Sequence, residues 1–143
     1  MKKQMILLGC AFGLLLVPAR AQDKEKKDET PLGKQMEAMD DAFKGFRRET
    51  DPVKGAKEAR DAQQGALKAA LEIPVLIKEM PDGPDKDKAA NEYRTMMGKL
   101  FITLCDVEGA FLAGKPEEVA KIVDTLKGMK KDGHKKFVKE EDE

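Results

Sequence analysis

The sequence predicts an all-α protein, an antiparallel four-helix bundle with up-down-up-down topology. Apolar residues recur at spacings of three and four along four long segments, which is the period of an amphipathic helix. No segment shows the alternation of apolar and polar residues that a half-buried strand requires. Mostly short connections join the four segments, and such connections place successive helices antiparallel.

The first helix begins with a capping residue and a proline. Thr30 can cap the helix, and Pro31 suits the first helical position. Apolar residues then follow at helical spacing. The predicted buried face consists of Leu32, Met36, Met39, Phe43 and Phe46.

The second helix repeats this arrangement with Asp51 as the cap and Pro52 just inside. Pro74 stops it, so we expect the helix to end near Glu72. Two glycines within it, at 55 and 65, are expected to weaken the helix by about 1 kcal/mol each relative to alanine. Its predicted buried face is rich in alanine and includes Val53, Ala56, Leu67 and Leu71.

The third and fourth helices follow a loop with the sequence "EMPDGPDKD", whose prolines and glycine break helical structure. The third helix is predicted from about residue 87 to residue 113, with Gly114 as its C-terminal cap. Its buried face is predicted at Tyr93, Met97, Leu100, Leu104, Val107 and Phe111. The fourth helix follows the turn at Pro116. Its buried face is predicted at Val119, Ile122, Val123, Leu126 and Phe137.

The N-terminal region predicts export. Two lysines, an apolar run and a small-residue cleavage site indicate a secretory signal peptide over residues 1–21. A lipoprotein cleavage site before Cys10 is the less favoured alternative, because only about five apolar residues would precede the cysteine. The charged stretch 22–30 is expected to be a disordered leader, and 31–143 to form the bundle. No membrane attachment is expected once the signal is removed.

Composition excludes several classes of function. Loss of residues 1–21 leaves 24 basic against 27 acidic residues without a basic stripe, so nucleic acid is not an expected partner. Cys105 is then the only cysteine, which excludes an intrachain disulfide, covalent haem attachment and multi-cysteine metal sites. No hydrolase or phosphate-binding motif occurs, so the protein is not expected to be an enzyme. Carboxylates such as Glu37 and Asp40 are expected to be surface charges.

The single histidine, His134, is the most informative residue. Helical spacing from Val119 places it beside the buried face of the fourth helix. Because the first and fourth helices are antiparallel, Met36 and His134 both lie about 6 to 8 Å from the same end of the bundle. A boundary histidine bonded to a backbone carbonyl, and a methionine that only fills the core, are the simpler interpretations. The matched depth of Met36 and His134 instead favours a flat apolar cofactor that contains iron and lies between them.

Two stretches of the sequence carry a family resemblance. The segments "LGKQMEAMDDAFKGF" and "LAGKPEEVAKIVDTLKGMKKDGHKKF" resemble the first and last helices of the cytochrome b562 family, which are periplasmic haem proteins. The resemblance spans residues 31–138 and implies one non-covalent haem b with Met36 and His134 as axial ligands. It implies electron transfer, because Met/His ligation raises the reduction potential and leaves no open site for a substrate.

The resemblance also implies which residues surround the haem. Tyr93 and Met97 stand where the best-known member of the family has phenylalanines, and Lys130, one turn before His134, stands where it has an arginine. All three are therefore expected to contact haem, with the Tyr93 hydroxyl bonded to a propionate or to water. We expect a soluble periplasmic monomer that docks transiently with redox partner proteins, which the sequence does not identify.

Two other functions stay open on sequence grounds. A haem-free bundle acting as a scaffold or binding module would have the same fold. A copper-binding protein is the second alternative, because soft thioethers and an imidazole suit Cu(I). The thioethers expected near one end of the bundle belong to Met36, Met39, Met96 and Met97.

Overall fold

The computed structural model describes residues 30–138, and helices make up most of this range. Four long helices form the bundle, and one further helix is a single turn in the connection between the second and third of them. No strand occurs within residues 30–138, and the predicted all-α antiparallel bundle is confirmed. In chain order the helices are α1 (Pro31–Phe46), α2 (Pro52–Ala70), α3 (Val75–Lys78), α4 (Pro84–Leu112) and α5 (Pro116–Phe137).

Parts of the predicted organisation lie outside the described residues. These parts are the signal peptide at 1–21, the leader up to residue 29, and residues 139–143 of the predicted bundle domain. Across residues 30–138, every helix is too short or too polar to cross a membrane.

Side-chain caps set the starts of α1 and α2. The hydroxyl of Thr30 accepts a hydrogen bond from the backbone N–H of Gly33 at 2.9 Å. The Asp51 carboxylate accepts from the N–H groups of Val53 and Lys54 at 2.9 and 3.1 Å. These bonds satisfy N–H groups that have no partner within the helix. The starts predicted for the first two helices are therefore confirmed.

Both ends of α4 use glycine at a positive φ. Gly83 precedes the helix with φ 152°, and Gly114 follows it with φ 65°. The helix begins at Pro84, three residues before the predicted start, because the proline takes the first helical position instead of breaking the helix. At the other end the N–H of Lys115 donates to the carbonyl of Ala110 at 3.0 Å, which closes the expected glycine cap.

α2 packs through small residues rather than through its larger apolar ones. The prediction that Val53, Leu67 and Leu71 are buried is wrong, since they are 73%, 52% and 85% exposed. The alanines allow α1 and α4 to approach α2 closely, whereas larger side chains there would hold the helices apart. The residues of α2 that are 0 to 1% exposed are Ala56, Ala59, Ala62, Ala66 and Ala69.

The two buried glycines of α2 belong to the same close packing. A Cβ added to Gly55 would lie 2.3 Å from the ring of Phe111, and one added to Gly65 would lie 2.6 Å from Cγ of Met39. Glycine lowers the stability of the helix at these two positions, but any side chain there would obstruct the contacts of α2 with Met39 and Phe111.

The arrangement of the helices leaves one side of the bundle open. α1 packs on α2, α2 on α4, and α4 on α5, but α1 and α5 have almost no close backbone contact. In an up-down-up-down bundle the first and last helices are neighbours that complete the ring. Here a gap runs between them, next to a core built mainly from the predicted faces of α4 and α5. The core residues of these two helices are Tyr93, Met97, Leu104, Val107, Ala110, Phe111, Val119, Val123 and Leu126.

Candidate functional site

A cleft of about 1260 Å³ occupies the gap between α1 and α5. It is lined by these two helices, by α4 and by the connection that contains α3. Its volume exceeds that of ordinary small-ligand pockets, which measure about 300–1,000 Å³. Most of the lining side chains are apolar, among them Leu32, Phe43, Ile73, Leu100 and Phe137.

The five residues predicted to bind the cofactor all line this cleft. Met36 comes from α1, Tyr93 and Met97 come from α4, and Lys130 and His134 come from α5. Three helices therefore bring together residues that are far apart in the sequence, and they do so at one apolar surface.

The imidazole of His134 is exposed, whereas the side chain of Met36 is half-buried. The ring of His134 has no hydrogen-bond partner within the described part of the chain, so the carbonyl-bonded boundary histidine is not observed. The residue lies in the last turn of α5, where its backbone carbonyl accepts from the N–H of Val138 at 3.0 Å. Its ring nitrogens are thus available to a ligand in the cleft.

Tyr93 is held by a backbone group of the neighbouring helix. Its hydroxyl donates a hydrogen bond to the carbonyl of Ala69 at 2.8 Å, which replaces the propionate or water that was expected as its partner. The ring is 2% exposed and packs edge-to-face on Phe137, with 5.3 Å between the ring centroids. Burial, together with the nearby negative charge of Glu72, raises the pKa of Tyr93 to about 12. Tyr93 therefore presents a fixed, uncharged wall to the cleft.

Lys130 forms an ion pair across the gap, with Asp40 of α1. Asp40 also pairs with Lys44, at 2.8 Å. Partial burial alone would raise the pKa of the Asp40 carboxyl, but the hydrogen bonds and charges of the two lysines outweigh it and hold the pKa below its usual value.

Asp40 is a solvent-accessible charge as expected, but its side chain is only 28% exposed and lines the cleft, which the sequence analysis did not anticipate. One signal in the sequence could have found it. Asp40 follows Met36 by four residues and Lys130 precedes His134 by four, so both members of the pair lie on the faces that carry the expected ligands.

Soft donors dominate what the cleft offers to a metal. Within residues 30–138, no group of three or more histidine, cysteine, aspartate or glutamate residues could hold a metal ion. The cleft is instead lined by one imidazole and several thioethers. Met129 is the one lining methionine that the sequence analysis did not name. The lining methionines are Met36, Met39, Met96, Met97 and Met129.

This donor set fits an iron porphyrin. A thioether and an imidazole from helices on opposite sides of the gap are one of the ligand pairs that hold haem iron in cytochromes. The apolar walls suit the faces of a macrocycle, and the long open gap suits its flat shape.

Comparison with protein families agrees with this geometry. The family model described as cytochrome b562 matches residues 31–138, a range that contains all four bundle helices and every cleft residue discussed above. A search of curated proteins finds no match. The family match covers well over half of the 143 residues, and the chain belongs to the cytochrome b562 family.

Proposed function

We propose that the protein is a periplasmic electron carrier that binds one non-covalent haem b, with Met36 sulfur and a ring nitrogen of His134 as axial ligands. The observation that carries this proposal is the meeting of the only histidine of the chain with Met36 at one apolar cleft. Membership of the cytochrome b562 family supports haem binding and electron transfer as the general role.

The residues of the cleft suit this role. Bound haem b supplies a one-electron iron couple, and a thioether ligand favours its reduced state. Apolar side chains around a bound haem would further disfavour the more highly charged oxidised state. The bond from Tyr93 to Ala69 fixes one wall of the cleft.

An electron carrier accounts for the chain better than an enzyme does. Two protein ligands on one iron leave no position for a substrate. Cys105 offers no reactive alternative, because burial, together with the charges of Glu108 and Asp106, raises the pKa of its thiol. Export to the periplasm is supported by the signal peptide that the N-terminal sequence predicts.

Titration of the purified protein with haemin, followed by absorption spectra before and after reduction, tests the proposal. The expected result is a six-coordinate spectrum that saturates at one haem per chain. His134→Ala should lose stable binding, and Met36→Ala should keep haem in a high-spin form with a lower reduction potential. Met129→Ala is the matched control, because Met129 also lines the cleft but is not a proposed ligand.

Two outcomes would contradict the axial assignment or the function. If the Met36 and His134 variants bind haem as the parent does, the ligands are other residues. If the parent leaves the spectrum of free haemin unchanged, the protein is not a haem carrier and a scaffold or binding role is favoured.

Copper binding is a second candidate, and the methionine-rich lining of the cleft supports it. Thioethers with one imidazole suit Cu(I), and methionines are equally able to fill an irregular core. Titration of the haem-free protein with Cu(I) separates the two explanations. Binding of stoichiometric Cu(I) without haem binding would favour copper, and absence of both would leave the methionines as core.

A further inference from the structure

The ion pair between Asp40 and Lys130 joins two helices that otherwise barely approach each other. Asp40 lies on α1 and Lys130 on α5, and these neighbours in the bundle have almost no close backbone contact. Both oxygens of the Asp40 carboxylate are ion-paired, one with Lys130 and the other with Lys44 at 2.8 Å. A direct side-chain link therefore spans the open side of the bundle.

The position of this pair matches that of the two proposed ligands. Asp40 lies one turn after Met36, and Lys130 lies one turn before His134. Because α1 and α5 run antiparallel, both displacements point the same way along the bundle, away from the end at which the ligands lie. The ion pair is thus about 6 Å further from that end than the ligand pair, at 1.5 Å of rise per residue.

We propose that Asp40 is a positioning residue, which acts through Lys130 to set the separation and register of α1 and α5 before the cofactor binds. The inference rests on the proposed function, because the groups that it positions are Met36 and His134. It also assigns Lys130 a role that the family resemblance does not imply. The ammonium of Lys130 serves as a tie between two helices rather than as a haem contact.

The ion pair is suited to this role by its position in the cleft, where the carboxylate is partly buried and the ammonium is exposed. The side chain of Asp40 is 28% exposed and that of Lys130 is 50% exposed, and both line the cleft. A link at this depth restrains the helices from the side on which backbone packing is missing. Removing it is expected to let the two ligand-bearing helices sample a wider range of separations in the haem-free protein.

Spin labels on α1 and α5 test the inference without any cofactor. Cysteines at Ala38 and Asp132, both exposed, would carry the labels in a background in which Cys10 and Cys105 are both replaced by serine. Asp40→Asn should broaden the distribution of distances between the labels. Lys136→Met is the matched control, because Lys136 pairs with Glu92 and joins α5 to α4, which already pack together. That variant should leave the distribution unchanged.

Haem dissociation supplies the functional measurement. Asp40→Asn and Lys130→Met should each speed the transfer of haem to an acceptor protein by about two- to fivefold, as expected for one partly exposed ion pair. The double variant should be no faster than the single ones, because both changes remove the same link. Lys136→Met should transfer haem at the parental rate.

The outcomes of these experiments separate the two proposals. An Asp40→Asn protein with the parental distance distribution would overturn the positioning role, and so would rates that multiply in the double variant. A parent that binds no haem would refute the proposed function, while the distance measurement would still show whether Asp40 sets the helix separation.

Discussion

Replacing Gly55 by alanine should destabilise the bundle, although alanine is the better helix former. A Cβ at this position would lie 2.3 to 2.5 Å from three ring atoms of Phe111. Carbon atoms in contact are normally about 3.5–4.0 Å apart, so the ring would have to move by more than about 1 Å. Phe111 is 6% exposed and its ring is rigid, so the ring can move only by displacing its neighbours in the core.

The expected magnitude follows from two opposing terms. Overpacking a core usually costs about 1–3 kcal/mol, and a ring contact as short as this one belongs in the upper half of that range. Alanine returns at most about 1 kcal/mol of helix propensity. The net loss should therefore be about 1–2 kcal/mol, which lowers the melting temperature of a domain of this size by about 4–8 °C.

Urea and thermal unfolding of the haem-free protein, followed by circular dichroism, provide the assay. Gly98→Ala is the matched control, because Gly98 is exposed within α4 and an added Cβ there meets nothing within 4 Å. The control should gain up to about 1 kcal/mol. A Gly55→Ala protein as stable as the parent, or stabilised as the control is, would contradict the predicted clash with Phe111.

Two further predictions concern buried polar groups and pH. Burial, reinforced by Glu49, raises the pKa of Glu58, and Oε2 of its carboxylate is buried without a hydrogen-bond partner among the described residues. Because glutamine carries no charge to bury, Glu58→Gln should stabilise the bundle by about 1 kcal/mol at neutral pH. Because the folded-state pKa is the higher one, this gain should disappear as the pH falls below the ordinary value of 4.5, and unfolding of both proteins across pH would show it. Tyr93 is the only tyrosine, so its phenolate absorbance should appear near pH 12 rather than 10, and stability should fall as the pH rises above 10. Ionisation of Tyr93 near pH 10 in the folded protein would contradict the burial of its hydroxyl. Tyr93→Phe removes the hydrogen bond to Ala69 and should lower the free energy of unfolding by about 0.5–1.5 kcal/mol, as measured by thermal unfolding.

Local signals in the sequence were sufficient for most of the helical framework. The caps at Thr30 and Asp51 and the glycine at 114 act within a few residues, so their effect can be read without knowledge of the rest of the fold. Periodicity was sufficient to predict most of the buried faces of α4 and α5, where large apolar residues recur at helical spacing, although Leu100, Ile122 and Phe137 are only partly buried. The prediction that Met36 and His134 lie near the same end of the bundle used helix geometry and the antiparallel order of the helices, and the structure shows that both line the cleft.

Packing between helices decided what these local signals could not. Hydrophobicity alone favoured Leu67 and Leu71 as core, but the bundle needs close helix approach at α2 and therefore buries alanine and glycine there. The partner of the Tyr93 hydroxyl and the ion pair between Asp40 and Lys130 are likewise contacts between residues distant in sequence. Such contacts depend on the separation and rotation of whole helices, which are set by the packing of all their side chains together.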